Sequence, residues 1–176
     1  MALTRIGLNQ SINLASNVTG TLPTGNGGTG ATSFAPGKIL QVVTNTHATR
    51  FETSSTSFVA ATGYDIAITP SSSSNKVFVM ISTILDNKAS GRLAYATLYR
   101  TISGGSATDI IDDAEGIAVG YSGGARVYTP TTLSALDSPN TTSAVTYQVY
   151  VKSASGEIGI NGPEAETQLT AFEIAG

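Results

Sequence analysis

The sequence predicts an all-β protein: an antiparallel β-sandwich of jelly-roll type, preceded by an extended N-terminal segment. Three observations carry the prediction. Short apolar or alternating runs follow one another from Lys38 onward, separated by clusters of Ser, Gly, Asn and Pro that read as turns. The clearest run alternates with period two, setting Val145, Tyr147, Val149 and Val151 on one face against Thr146, Gln148, Tyr150 and Lys152 on the other. No stretch sustains the period of an amphipathic helix. Roughly eight short strands, at a spacing of about 8 to 12 residues, are the signature of two packed sheets.

Residues 1–37 stand apart from the rest. They are rich in Gly, Thr and Asn, poor in aromatics and interrupted by Pro23 and Pro36, so they cannot bury a core alone. Their scattered apolar residues, Leu3, Ile6, Leu8, Ile12, Leu14, Val18 and Leu22, read as pegs for docking or strand exchange with a partner chain. Residues 38–176 are expected to form the folded head. Lys38 to Thr44 is its first apolar run, and Ser57 to Ala61 with Asp65 to Thr69 makes a pair of strands around Thr62-Gly63-Tyr64. The loop Pro70 to Asn75 leads into Lys76 to Ile84, apolar on both parities as expected of a central strand covered on both faces. Arg92 to Ile102 is a further strand, closed by Ser103-Gly104-Gly105-Ser106. Ile110 to Ala114 makes at most a single helical turn, and Thr167 to Gly176 ends the chain as a strand.

Composition narrows the function. Only 12% of residues are charged, about half the usual share, and polarity comes from hydroxyls and amides instead. The nine Lys and Arg residues are dispersed through a chain of net charge −3, which argues against nucleic-acid binding. With no cysteine there is neither a disulfide framework nor a thiolate ligand or nucleophile. The N-terminus lacks the apolar core of a signal peptide and no later run has the length of a membrane span. Synthesis as a soluble cytoplasmic product, without membrane insertion, is therefore expected.

Several motifs bear on chemistry. Gly25-Asn26-Gly27-Gly28-Thr29-Gly30 satisfies G-x-G-x-x-G, but phosphate binding needs a strand before it and a helix N-terminus after it. Pro23 and Pro36 bracket the motif and no helical pattern follows, so Gly25, Gly27, Gly28 and Gly30 are read as turn glycines permitting close approach of several chains. The acidic stretch Asp109 to Gly116 does not match an EF-hand loop, and no metal or cofactor is expected. Glu164 and Glu166 lie in a Gly-Pro turn without a defined partner group, which disfavours a glycosidase pair. His47, the single histidine, reads as a structural residue in a loop, because nothing near it resembles a nucleophile to activate. The sequons at Asn9, Asn17 and Asn140 mean little without a secretory signal. Tyr121, Arg126 and Tyr128 are the candidates for recognition: two amphipathic rings flank a glycine-hinged loop that bears one cation, suited to a sugar face and an acidic group.

The segment Val18-Thr19-Gly20-Thr21-Leu22-Pro23-Thr24-Gly25-Asn26-Gly27-Gly28-Thr29-Gly30-Ala31-Thr32 resembles a stretch that recurs in bacteriophage tail-fibre proteins. Phe51 to Ala60, Ile66 to Pro70, Lys76 to Val79 and the ending Leu169 to Ile174 are similar to the terminal β-domains of such fibres. The resemblance implies a non-enzymatic virion protein, a homotrimer attached through its N-terminal segment to other virion proteins of tail or capsid. Leu8, Ile12, Leu14, Val18, Leu22 and the four motif glycines would serve attachment and trimerisation, and the head loops would bind a host surface receptor or glycan. A capsid head fibre or decoration protein is the alternative, and a glycan-degrading enzyme a third.

Overall fold

In the computed structural model the described residues are 38–162 and 165–176. They form eleven strands: β1 (Ile39–His47), β2 (Phe51–Thr53), β3 (Val59–Ile68), β4 (Lys76–Asn87), β5 (Arg92–Ile102), β6 (Thr108–Asp109), β7 (Ala118–Ser122), β8 (Val127–Asp137), β9 (Val145–Ser153), β10 (Ile158–Ile160) and β11 (Thr167–Ile174). There is no helix among the described residues. The strands build two antiparallel sheets, the sandwich that the alternation predicts. The residues expected to anchor and trimerise the chain, Leu8 to Gly30, lie outside the described residues, as does Glu164.

Sheet A is organised around β4. One edge of β4 pairs with β8 along its length, and the other is shared by β11 and then β10. Strand β1 lies outside β11, and β2 outside β10. In sheet B, β9 runs between β3 and β5, and the far edge of β5 carries β7 and β6. The inward parity of each sheet meets in one core. Val77, Val79, Ile81, Leu85, Leu133, Leu169 and Ala171 from sheet A face Ile66, Ile68, Ala94, Ala96, Leu98, Val145, Tyr147 and Val149 from sheet B. Burial of each large aliphatic side chain contributes about 1.5–3 kcal/mol.

Four expectations are corrected. The pair of strands around Thr62-Gly63-Tyr64 is one strand, β3, broken by a bulge where the register with β9 jumps between Ala60 and Asp65. Gly63 takes φ +84°, and the His47 ring lies where a Cβ would sit, so the extra residues are absorbed there and Ala61 and Tyr64 both reach the core. His47 itself ends β1 rather than standing in a loop, its ring set edge-on to Tyr64 at 4.7 Å. Strand β4 is central, but among the described residues only one of its faces is covered: Phe78 and Ile84 are half-buried and Met80 is exposed on the other. The strand count exceeds eight because β2, β6, β7 and β10 are short segments that leave little periodic trace.

Buried polar groups close the ends of the sandwich. Tyr147 of β9 donates to Asp137 Oδ2 at 2.7 Å, and Arg100 Nη1 donates to both oxygens of the same carboxylate at 2.8 and 3.0 Å. Burial, and then Asp137 accepting its proton, hold the Tyr147 hydroxyl above the ordinary tyrosine range. At another end Glu173 points inward and is fully buried. Its Oε1 accepts from Ser71 N at 2.6 Å, Ser71 Oγ at 2.7 Å and Asn75 Nδ2 at 2.6 Å, tying the Pro70–Asn75 loop to β11.

Burial alone would raise the Glu173 pKa, yet the hydrogen bonds from Ser71 and Asn75 outweigh it and hold the carboxyl below 4.5. A carboxylate with a lowered folded pKa adds stability above its unfolded value, and that stability is lost as pH falls through the folded value. Denaturant midpoints measured from about pH 7 to about pH 3 are expected to fall on the acid side, with a flatter acid limb in Glu173→Gln. The variant is expected to begin less stable at neutral pH.

Candidate functional site

The turn between β7 and β8 carries the chain from sheet B to sheet A, and it holds the residues that the sequence singles out. Ser122 Oγ donates to Ala125 O, and Gly91 N donates to Ser122 O at 2.6 Å, which fixes the turn against the start of β5. Tyr121 is 61% exposed on β7. Arg126 and Tyr128 are brought together, the guanidinium 4.9 Å above the ring. The Arg126 fork is engaged within the protein: Nε and Nη2 donate to Asp86 Oδ1 and Oδ2 at 3.0 and 2.7 Å. Of the three, Tyr121 offers the most open surface.

Asp86 is the centre of a charged cluster on the outer face of sheet A. It is completely buried because Arg126 covers it from one side and Arg50 from the other. Glu52, Gly159 and Asp86 are aligned across β2, β10 and β4. Arg50 lies across this row, with Nε 3.0 Å from Glu52 Oε1 and Nη2 on Asp86 Oδ2. Lys88 Nζ bridges Glu52 at 2.5 Å and Glu157 at 2.7 Å. The bond from Lys88, followed by the nearby positive charge of Arg50, holds the Glu52 carboxyl below its ordinary range. Gly159 is needed here for a steric reason: a Cβ on it would stand 3.1 Å from two Arg50 nitrogens.

A second site lies on the outer face of sheet B. It is an open groove of about 570 Å³ lined by Thr56, Ser57, Phe58, Asp109, Asp112, Asp113, Ala114 and Lys152. Lys152 points outward from β9, by the alternation already evident in the sequence. Its ammonium sits 4.6 Å from the Phe58 ring centre and 5.1 Å from that of Tyr95, and it donates to Ala114 O. The acidic stretch forms the opposite wall, held to the edge of β5 by Ile110 N to Leu98 O at 3.1 Å and Ile117 N to Ala96 O at 3.0 Å. Gly116, at φ +77°, allows this approach, since a Cβ would meet Ala96 O. Asp109 Oδ1 accepts from Thr97 Oγ1 and from Ile111 N, so one oxygen shapes the loop while Asp112 faces the groove. Beyond the groove, Tyr99 and Tyr150 stack at 3.9 Å.

Chemically, the groove combines an aromatic side wall, one ammonium, three carboxylates and two hydroxyls on a rigid sheet. Among the described residues no three His, Asp or Glu side chains converge to ligate one metal ion. Sequence reasoning noted the acidic stretch but not its partners. Phe58 and Lys152 are distant from it in the chain, and only the outward parity of β9 hinted at a second wall.

No protein-family model matches the chain, and no curated protein matches it. Solved structures that align with the chain include VP2 of infectious bursal disease virus. A mutant VP2 in derived T=1 particles aligns with TM-score 0.42 at 13% identity, and a further T=1 particle structure with 0.41 at 13%. The protein from the Gt strain of that virus aligns with 0.40 at 14% identity. These alignments cover 77% of this chain and 36–38% of the viral chains, so it spans little more than a third of their length.

Gly159→Ala is expected to push the Arg50 guanidinium back by a few tenths of an ångström and weaken its contact with Asp86, at a cost of about 1 kcal/mol. For a domain of this size that lowers the melting temperature by about 2–4 °C per kcal/mol. Gly124→Ala, where nothing lies within 4 Å of the new methyl, is the control expected to melt with the wild type. Thermal denaturation followed by circular dichroism reads both.

Proposed function

We propose that this protein is a non-enzymatic structural component of a bacteriophage particle, a short trimeric tail fibre or knob. It joins the particle through residues 1–37 and binds a host surface glycan through its β-sandwich head. The observation that carries the binding role is the groove of sheet B. A sugar presents apolar C–H faces and a fan of hydroxyls, which suit the Phe58 ring and the carboxylates of Asp109, Asp112 and Asp113 respectively. Lys152 adds a donor for a ring oxygen or an acidic sugar. Tyr121 and Tyr128, near the β7–β8 turn, would extend recognition to a second face of the head. The resemblance of Val18 to Thr32 to tail-fibre sequences supports the particle role.

Such a groove is shallow, and a single copy would hold a glycan weakly. Three copies on one fibre convert later contacts into intramolecular ones, raising avidity by about 10²–10⁴ without new contacts.

Purified protein in excess is expected to slow adsorption of the phage to its host, with half-inhibition shifted to higher concentration by Phe58→Ala and by Asp112→Ala. Absence of competition, together with absence of binding to host cells, would sink the receptor role. Turnover of host polysaccharide by the pure protein would replace it with an enzyme.

A further inference from the structure

The outer face of sheet A is divided along β4. Its Asp86 end carries the charged cluster, whereas the other end carries an apolar row that no described residue covers. Register places Val42 of β1 beside Phe172 of β11, Phe172 beside Phe78 of β4, and Phe78 beside Leu136 of β8. The four side chains thus form a line across four strands, with the Phe78 and Phe172 rings 6.1 Å apart. Val42 is 52% and Leu136 56% exposed, and Met80 in the next row is exposed as well. That row continues as Thr44, Thr170, Met80 and Ser134, so neither row contains a charge. At a strand spacing of about 4.8 Å the line is about 15 Å wide. Contiguous apolar surface of this kind, rimmed by hydroxyls on one side and by Lys76 on the other, marks an interaction site.

We infer that this face is buried against the same face of further copies of the chain, gathered about a common rotation axis. The inference rests on the proposed assembly of the protein as a closed oligomer. Two observations choose a second copy as the occupant. First, the segment of 37 residues outside the described ones joins the head at Lys38, immediately before Ile39 and Leu40, which are exposed on the strand that contributes Val42. Copies held together by that segment bring β1 and this face nearest to one another. Second, the two rows themselves carry no charge, and the nearest one on this face, Lys76 opposite Ile174, stands at their rim. Identical uncharged rows match each other, and among chains of net charge −3 they are surfaces that meet with little repulsion. The segment therefore need not supply the whole interface, and the heads contribute contacts of their own.

The test uses the full chain, which has no cysteine of its own. Leu136→Cys treated with a short bis-maleimide is expected to give covalently linked copies, while Val119→Cys, exposed on sheet B, is expected to give none. In parallel, light scattering on dilution should show an assembled wild type, with Leu136→Glu dissociating at a concentration about tenfold higher or more. Leu136 is largely exposed, so this variant should keep the wild-type circular dichroism spectrum. An assembled wild type with no Leu136→Cys crosslink and an unchanged Leu136→Glu would overturn the face and leave the oligomer standing. A wild type that stays monomeric at all concentrations would overturn both.

Discussion

The register of β4 is the constraint on which the rest of the structure depends. This one strand aligns β8 on one edge and both β11 and β10 on the other, so its inward parity dictates what sheet A offers to the core. In the observed register Val77, Val79, Ile81 and Leu85 point inward and Asp86 points outward under Arg50 and Arg126. A slip of one residue would exchange the faces. It would expose those aliphatic side chains and drive the Asp86 carboxylate toward the core without its arginines, at a cost no other pairing could offset. The charged cluster therefore does more than decorate the surface: it penalises the wrong register from outside while the core rewards the right one from inside.

Much of the architecture was legible because alternation is a direct imprint of a half-covered sheet. Val145 to Lys152 reads as β9 with the correct face inward, and Arg92 to Ile102 coincides with β5. The failures have physical causes. Lys76 to Ile84 is apolar on both parities, which reads as cover on both faces; the structure leaves Phe78 and Met80 without cover among the described residues. Gly63 reads as a hairpin turn because a bulge glycine and a turn glycine share the same positive φ. Strand β8 contains Pro130, which lacks a donor and weakens a strand reading. It is tolerated because, among the described residues, β8 pairs only with β4 and lies at the sheet edge. Of the candidate site, the sequence shows Arg126 and Tyr128 as neighbours but not the Asp86 partner, which lies 40 residues away. The groove was illegible for the same reason, being assembled from three distant stretches.

Stability and the proposed recognition use opposite parities of the same strands. In β9, Tyr147 and Val149 face the core while Tyr150 and Lys152 face the groove side, so one alternation serves both purposes. The bonds that hold the sandwich ends, Tyr147 and Arg100 on Asp137 and the donors on Glu173, keep the frame rigid beneath surface side chains. A wall mounted on paired strands preserves its spacing, which would lower the ordering cost in the proposed binding of a flexible sugar chain.

The charged end of sheet A also bears on how copies can meet. Arg50, Lys88 and Arg126 are balanced within one chain by Glu52, Asp86 and Glu157. Bringing several copies together thus concentrates no net charge at that end. An unbalanced cluster would repel its symmetry mates across a distance of about a Debye length, roughly 8–10 Å at ordinary salt, and would splay the heads apart. A balanced one is indifferent to the approach and stays hydrated, while the apolar row at the other end gains by losing water. The same sheet thereby favours contact through one end without forbidding proximity at the other, so a partner that turned its charged end onto the apolar row would desolvate six ionised groups for no return. In the proposed oligomer, orientation would follow from that difference in cost.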